Sequence, residues 1–512
     1  LYALSRLVRK HARLLAVLES LDAGTPIRRA RDRDLPLADR GLHRHAGWAE
    51  LLRRELPDAG PVGIVAQLLP SSAPLLALTG AVAPALAAGN AVVLQPDELT
   101  PLTALLFVEL CREAGLPPGV VGLVTGDAAT GEALVRHPDV DGVAFIGSTE
   151  TGRLIRRTLA GSGKELTLTL GGPIALLVFD DADLDSAVEG VVEGLWLDQG
   201  RVGGPGGRIL AQEGVAEALA GKLRARMETL RAGDALDRGV DMGPVVGPAR
   251  LEEIRRRVAE AVRGGARVWQ PSWNVPEKGW FYPPTLCTDV FPATVATVAG
   301  IPGPVASLTT FRTHEEALDL VREGGLLPGA AVWSESVNLA LDVATRIEAG
   351  TVWVNAAGLR EGAASAGGGG SGLEGLRGYV WPRWQIEGRG RGAGVREGAR
   401  DGGAIAGGGR EGPPDRPGGV GSAEVPDDAR GRREDVMAAV DRALEAGTSW
   451  RARSAHDRGR VLHELAEELE ARGGGLVEPL AAVEGDREGA RREVDASVRR
   501  LFAYGAWAET WK

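Results

Sequence analysis

One stretch of the sequence decides the fold: residues 143–159, which read VAFIGSTETGRLIRRTL. The first four residues are apolar, as in a buried strand, and Thr149–Leu159 has the apolar spacing of a helix. Gly147, Ser148 and Gly152 lie at the turn where the strand gives way to the helix. A helix N-terminus carries free N–H groups and the positive end of the helix dipole, which suit a phosphate group. The stretch therefore predicts a parallel α/β unit with a candidate cofactor-binding turn.

Strand-like and helical runs alternate upstream of this stretch. Apolar runs at Val62–Leu69, Ala91–Leu94 and Val120–Val124 are separated by helical runs at Leu75–Ala88 and Leu102–Ala114. Strands that are apolar on both faces are typical of a parallel sheet with helices on both sides. The sequence therefore predicts an α/β fold.

A second alternating unit follows downstream, and residues 1–50 are predicted to be helical. The predicted elements of the second unit are strands at Ile174–Phe179, Gly207–Gln212 and Thr351–Asn355 and helices at Ala187–Trp196, Val215–Leu230 and Arg250–Gly264.

The composition excludes several classes of protein. A chain of 512 residues is too long for one ordinary core, so two or more domains are expected. The net charge of -10 argues against a nucleic-acid partner, and no apolar run is long enough to span a membrane. The only cysteines, Cys111 and Cys287, lie far apart and predict a reducing, cytoplasmic location without disulfides. Because the chain opens at Leu1 within a helical pattern, we expect it to be a fragment.

The composition changes sharply after the second unit. Residues 387–430 are dominated by Gly, Arg, Pro and acidic residues, which is typical of a flexible linker. Helical patterning then resumes at Val436–Ala446 and Val461–Ala471. Tyr504–Glu509 resembles His45–Glu50, and the offset between their tryptophans is 507 − 48 = 459 residues. The repeat predicts one nearly complete domain followed by the opening helices of a second copy.

Four blocks, in this order, carry a family resemblance: AVAPALAAGNAVV at 81–93, EAGLPPGV at 113–120, FIGSTETG at 145–152 and AGTVWVN at 349–355. They resemble the aldehyde dehydrogenase superfamily, over most of residues 1–385 and again over about 432–512. The tandem arrangement is similar to the two-domain family-16 branch, some of whose members lack the catalytic cysteine.

The resemblance implies a domain organisation as well as a fold. It implies a Rossmann-like cofactor-binding domain at 1–168, an α/β catalytic-type domain at 169–386, the linker at 387–430, and a truncated second copy at 431–512. Between Trp48 and Pro61 the family has a protruding β-hairpin that docks on another subunit. This span is short here, so we expect a shortened oligomerisation arm.

The resemblance also implies the catalytic positions, and their side chains are missing. In the family a cysteine thiolate attacks the aldehyde and a hydride passes to NAD(P). The cysteine aligns with Gly203 within QGRVGGPGGR, the oxyanion donor with Ser72, the general base with Thr169 and the ribose anchor with Gly300. Glycine cannot form a covalent adduct, and threonine cannot take a proton at neutral pH. Glu165, four residues before Thr169, is the candidate for a substitute base.

The cofactor contacts are predicted to be partly lost. The family's adenosine-ribose lysine aligns with Gln95, and its glutamate is retained as Glu98. Ser148 could donate to a phosphate or could only cap the helix. The residues predicted to bind NAD(P), weakly or not at all, are therefore Gly147, Ser148, Gly152, Glu98 and Gln95.

Three functions remain open from the sequence. The first is a catalytically inactive family member that acts as a scaffold for a protein partner. The second is an active NAD(P)-dependent aldehyde dehydrogenase whose catalysis comes from the rest of the second copy. The third is a nucleotide-binding regulatory module. No metal site is predicted, because His43 and His45 have no Cys or acidic cluster near them in the sequence.

Overall fold

The structure is a computed structural model that describes residues 1–200, 207–290, 298, 300–323, 327–357, 373–382 and 438–443. The chain opens with helices whose leucine and alanine side chains bury one shared core, which confirms the helical prediction for residues 1–50. These elements are α1 (Tyr2–Lys10), α2 (Ala12–Ala23), α3 (Ile27–Arg29), a π-helical turn (Ala30–Asp34) and α4 (Leu35–Glu55).

A five-stranded parallel sheet follows, in the order β4-β3-β2-β5-β6. Its strands are almost fully buried at the centre, as a sheet covered on both faces requires. The predicted Rossmann-like sheet is therefore confirmed. The strands are β2 (Ile64–Leu68), β3 (Ala91–Gln95), β4 (Val121–Leu123), β5 (Gly142–Ser148) and β6 (Glu165–Gly171), and the helices are α5 (Pro74–Ala88), α6 (Leu102–Glu113), α7 (Ala128–Arg136) and α8 (Thr149–Leu159).

The two faces of this sheet have separate cores. Helices α5 and α6 pack with α1 and α4 on one face, around residues such as Val65 and Val92. Helices α7 and α8 lie on the other face, around Ile64 and Val93. The strict in-out alternation along β2 and β3 decides which residues face each core.

A seven-stranded sheet forms the second unit, in the order β13-β12-β7-β8-β11-β10-β9. All its pairings are parallel except that of β9 with β10 at the edge. The strands are β7 (Ile174–Val178), β8 (Gly207–Gln212), β9 (Arg267–Trp269), β10 (Thr285–Thr288), β11 (Val305–Phe311), β12 (Ala330–Trp333) and β13 (Val352–Val354). The helices are α9 (Leu184–Leu195), a 3-10 turn (Leu197–Gly200), α10 (Ala216–Glu228), α11 (Pro248–Arg263), α12 (His314–Glu323) and α13 (Val337–Arg346).

Side-chain caps explain where several helices begin. Asp127 accepts hydrogen bonds from two N–H groups in the first turn of α7, and Asp183 accepts one at the start of α9. Ser148 and Ser336 do the same for α8 and α13. Each cap pairs a backbone N–H that the helix itself cannot satisfy.

The two sheets meet at a short connection. Strand β6 ends at Gly171 and β7 begins at Ile174. The division predicted between residues 168 and 169 falls inside β6, which pairs with β5 along its whole length. β6 is therefore a single strand of the first sheet. The domain limits stay a prediction.

A small ribbon joins the N-terminal part to the last described part of the second unit. Strand β1 (Ala59–Pro61) pairs antiparallel with β14 (Val380–Pro382), which follows α14 (Leu373–Arg377). Asn90 fixes this ribbon: its Nδ2 donates to the Tyr379 carbonyl at 2.9 Å. Strand β1 is the one strand between α4 and β2, the span predicted to be a shortened arm. Its part in assembly stays a prediction.

Residues 438–443 are helical and lie against the first sheet. They fall within the helix predicted at Val436–Ala446. The predicted linker and the rest of residues 444–512 lie outside the described residues, so the second copy is taken up below as a proposal. None of the described helices is long and apolar enough to cross a membrane.

Candidate active site

Three neighbouring strands end at one edge of the first sheet, and predicted site residues follow each of them. Leu68 of β2 is in register with Gln95 of β3 on one side and with Phe145 of β5 on the other. The loop with Ser72 follows β2, and Ser148 ends β5. The crevice at the carboxyl ends of parallel strands is where α/β proteins bind ligands. The structure therefore brings the oxyanion position and the cofactor positions to the same edge.

Ser148 is the N-cap of α8. Its Oγ accepts a hydrogen bond from the Thr151 N–H at 3.1 Å and donates one to Thr151 Oγ1 at 2.9 Å. The side chain is exposed at the start of the helix, where the dipole favours an anion. Of the two roles left open by the sequence, the capping role is the one seen in the structure.

The two glycines of this turn make room for neighbouring side chains. A Cβ at Gly147 would lie 2.4 Å from Phe145 Cζ, and a Cβ at Gly152 would lie 2.4 Å from Leu170 Cδ2. A Cβ at either position would require the Phe145 ring or the Leu170 side chain to shift, so glycine lets these side chains pack against the turn. Their role in binding a cofactor stays a prediction.

Thr169 stands beside this turn. It is in register with Ile146 of β5, and Thr149 Oγ1 donates to the Gly171 carbonyl at 2.9 Å, which fixes the helix start to β6. Thr169 is 6% exposed and lines a cavity of about 20 Å³, which holds about one water molecule. The cavity is also lined by Thr167, Tyr379 and residues of α5, β5 and α14.

Glu165, the candidate for a substitute base, is used in a structural contact. Its Oε2 accepts a hydrogen bond from Trp381 Nε1 at 2.9 Å. The contact joins β6 to β14 across the ribbon. This hydrogen bond engages one oxygen of the carboxylate, at the start of β6 and four residues before Thr169.

Ser72 lies in the loop that leads into α5. The next residue, Ala73, has a left-handed backbone with φ of 45°, which alanine rarely adopts. Glu19 of α2 holds the helix start: its Oε1 accepts hydrogen bonds from the Leu75 N–H at 3.1 Å and from Thr103 Oγ1 at 2.7 Å. Glu19 was not among the functional or structural residues predicted from the sequence. An acidic residue within the apolar stripe of α2 was the available signal.

Gly203 lies outside the described residues, but the turn before it is described. A Cβ at Gly200 would lie 2.4 Å from the Gly303 carbonyl oxygen, so the two backbones touch. The Gly300 carbonyl, three residues before Gly303 in the sequence, accepts a hydrogen bond from Arg257 Nη1 at 2.8 Å. The loop that leads to the nucleophile position therefore lies against the segment that carries the ribose-anchor position.

Gln95 and Glu98 differ in their surroundings. Gln95 is buried, and its Nε2 donates to the carbonyls of Gly126 and Asp127 at 3.1 and 2.8 Å. Its amide therefore holds the loop before α7. Glu98 is exposed in the loop after β3. Their roles toward a cofactor stay predictions.

Neither cysteine can replace the missing nucleophile. Cys111 lies in α6 and is 1% exposed, and Cys287 lies in β10 and is 0% exposed. Burial raises the pKa of the Cys111 thiol far above its ordinary value and that of Cys287 to about 12. The thiolate is the reactive form of cysteine, so both thiols are inert at neutral pH.

The described residues fit a dinucleotide only in part. The helix start at Ser148 suits a pyrophosphate. The Gln95 amide is engaged elsewhere, and Gly300 offers only its backbone where the family has a carboxylate. Within the described part of the chain, no group of three or more His, Cys, Asp or Glu side chains is placed to hold a metal ion.

These features define an α/β protein with two main sheets. The family model described as "Aldehyde dehydrogenase family" matches residues 1–381 and 422–512. The chain belongs to the aldehyde dehydrogenase family. The superfamily predicted from the sequence is therefore confirmed.

Individual relatives agree with this assignment. The chain is 35% identical over 369 residues to an aldehyde dehydrogenase of Agaricus bisporus, with 70% of this chain and 74% of the relative covered. It is 36% identical to aldehyde dehydrogenase family 2 member B4, mitochondrial, of Arabidopsis thaliana, with 68% and 67% covered.

Solved structures of aldehyde dehydrogenases are also similar to this chain. An NAD-dependent aldehyde dehydrogenase from Sinorhizobium meliloti matches with a TM-score of 0.69 and 31% identity, covering 74% of this chain and 79% of that one. Betaine aldehyde dehydrogenase from Staphylococcus aureus in complex with NAD+ matches with a TM-score of 0.68 and 29% identity, covering 74% and 80%.

Proposed function

We propose that this chain is a family member that does not carry out thiol-based aldehyde oxidation and that acts by binding. One observation carries the proposal: the nucleophile position is Gly203, while the only two thiols of the chain are buried in α6 and β10. A covalent hemiacetal needs a side-chain atom to attach to, and glycine has none.

The surrounding positions support the same conclusion. Thr169 cannot act as a general base, and Glu165 is hydrogen-bonded to Trp381. Ser72 retains a hydroxyl, which could donate one hydrogen bond to an oxyanion. Restoring the nucleophile alone would therefore leave proton transfer without a catalyst.

Weak or absent binding of NAD(P) is part of this proposal. If a dinucleotide binds, the start of α8 with Gly147, Ser148 and Gly152 holds its pyrophosphate, and Glu98, retained at the family's position, is the residue that would contact a ribose. A bound NAD(P) would supply a hydride acceptor. The chain's own residues would orient it but would not provide the acyl-transfer groups.

A binding role implies a partner, and we propose a protein. The net charge of -10 disfavours nucleic acid. We also propose a cytoplasmic location, because both cysteines are unpaired.

A second candidate is NAD(P)-dependent oxidation of an aldehyde to a carboxylic acid, with catalysis from a second copy. The observation in its favour is the second family-matched segment at 422–512, together with relatives that are named aldehyde dehydrogenases. We propose that this segment begins a tandem copy of the family-16 type.

One pair of measurements separates the candidates. The full-length protein is titrated with NAD+, NADH and NADP+ by calorimetry and is assayed for NADH formation with simple aldehydes. An inactive binding protein gives no NADH above a heat-treated control. NADH formation that thiol alkylation abolishes would overturn the first candidate and support the second. Dinucleotide binding without turnover would favour the regulatory module.

A further inference from the structure

The segment of residues 438–443 lies beyond the linker in sequence but inside the core of the first sheet. Ala439, Val440 and Ala443 are each 0 or 1% exposed and share one apolar cluster with β2, β3, β5, α7 and α8. Ala438 and Asp441 are exposed on the opposite side of the same helical turns. This is the burial pattern of a helix with one face against a sheet.

The other described helices on this face of the first sheet contact mainly β2, β5 and β6. A parallel sheet buries both faces, and each face is covered by helices. On the face opposite α5 and α6, α7 contacts β2 while α8 contacts β5 and β6. Strands β3 and β4 form the other half of the sheet, and Gly122 of β4 is where residue 439 contacts it.

Small residues on both sides allow this contact. A Cβ built at Gly122 would lie 3.8 Å from the Ala439 carbonyl oxygen and 3.9 Å from Ala439 Cβ, which is ordinary van der Waals contact. A small side chain at position 122 would therefore fit against Ala439, which places the helical segment directly over β4. The remaining apolar side chain, Val440, is 0% exposed in the same cluster.

We infer that the face of β3 and β4 is an intramolecular docking surface for residues 438–443 of the same chain. Residues 438–443 of the second family-matched segment then belong to the core beside the first sheet, so this segment is packed against the first one and not only joined to it by the linker. This inference does not depend on whether NAD(P) binds, so it can fail while the proposed function stands.

A cysteine cross-link tests the contact directly. A Cβ at position 122 would lie 3.9 Å from the Cβ of residue 439, which is within the range of natural disulfides. The full chain with Gly122→Cys and Ala439→Cys is oxidised mildly and run on a non-reducing gel. We expect a monomer band of altered mobility that reductant restores. The matched control carries Gly122→Cys with Ala438→Cys, on the exposed side, and is expected to cross-link much less.

Other outcomes of this experiment would overturn the inference. Cross-linked dimers in place of monomers would mean that a second copy supplies the helix. Equal cross-linking in the test and control variants would mean that residues 438–443 have no fixed position on the sheet.

Thiol labelling of single variants gives an independent readout. The native Cys111 and Cys287 are buried and contribute little background. We expect the Ala439→Cys variant to be labelled at least about tenfold more slowly than the Ala438→Cys variant, because labelling requires local undocking. Equal labelling rates in folded protein would show that the segment is not docked.

Discussion

The turn before position 203 is held in an unusual backbone conformation by close contacts between glycines. Asp198, Gln199 and Gly200 all have positive φ, at 56°, 54° and 74°. Non-glycine residues in this region are strained and persist only where their surroundings fix them. Here Gln199 Nε2 donates to the Gly24 carbonyl at 3.0 Å, and a Cβ at Gly243 would lie 2.0 Å from the same oxygen.

Gly243→Ala should therefore destabilise the protein. The added methyl meets a backbone oxygen that cannot move aside, so we expect the free energy of unfolding to fall by about 1–3 kcal/mol. Gly221→Ala in α10 is the matched control. A Cβ there meets nothing within 4 Å, and alanine should stabilise the helix by about 0.5–1 kcal/mol. Denaturant unfolding measures the free energy of unfolding of both variants. Equal changes would contradict the close contact between Gly243 and the Gly24 carbonyl.

Asp22 gives the stability a pH dependence. Burial raises its pKa to about 7, while the hydrogen bond from the Leu102 N–H opposes this rise and the nearby Asp97 adds to it. Between the ordinary value of 3.8 and about 7, the folded state binds more protons than the unfolded state. Stability from this group is therefore full at low pH and is lost as the pH rises through this window.

Asp22→Asn should remove this part of the pH dependence. The amide oxygen can still accept from Leu102, and no charge has to be buried. We expect the free energies of unfolding of the two proteins to be closest below about pH 3.8 and to diverge as the pH rises to about 7, above which the variant is the more stable by a constant amount. A wild-type advantage at pH 8 would contradict the raised pKa.

At the scale of single elements, α8 depends on its cap. Ser148→Ala removes the acceptor for the Thr151 N–H and should cost about 1 kcal/mol of stability. Ser148→Asp keeps a good cap but places a negative charge where a pyrophosphate would lie. We expect near wild-type unfolding for the aspartate variant. Calorimetric titration shows whether it also loses any NAD+ binding, which would identify this turn as the phosphate site.

Helix α5 depends on a carboxylate that comes from another helix. Glu19→Ala leaves the Leu75 N–H and the Thr103 hydroxyl without their acceptor, which should cost about 2–3 kcal/mol. Glu19→Gln keeps an acceptor oxygen of the same reach and should cost clearly less. Thermal and chemical unfolding compare the two. Similar losses in both variants would mean that the negative charge, and not the hydrogen bond, holds the start of α5.

Element type could be predicted from sequence where the apolar pattern is locally distinct. Strand β3 and helix α8 were predicted because a run of apolar residues or a helical stripe identifies them. Strands β6 and β11 were not predicted, although each has seven residues, because threonine and serine interrupt their apolar runs. The shorter strands β9, β10 and β12 were not predicted either. Glu19 contacts Leu75 and Thr103, which are 56 and 84 positions away in the sequence. No local sequence pattern predicts contacts over such separations.

At the scale of the whole molecule, catalysis would need groups from both sheets at once. The general-base position, Thr169, is on β6 of the first sheet, and position 203 lies between the 3-10 turn and β8 of the second. The family resemblance assigned these positions from sequence. The engagement of Gln95 and Glu165 by distant backbone and indole groups could be learned only from the fold.

Rebuilding the site in steps tests how many of its losses matter. Gly203→Cys should give a thiol that reacts with iodoacetamide but should form NADH from aldehydes only at a trace rate, because no base is present. Adding Thr169→Glu should raise turnover by about 10²-fold or more over the single variant, the usual contribution of a general base. Thr169→Gln has the same size without the base and is the matched control. If Gly203→Cys alone oxidises aldehydes as fast as the double variant, the base position contributes nothing, and the molecule is one residue away from an active enzyme.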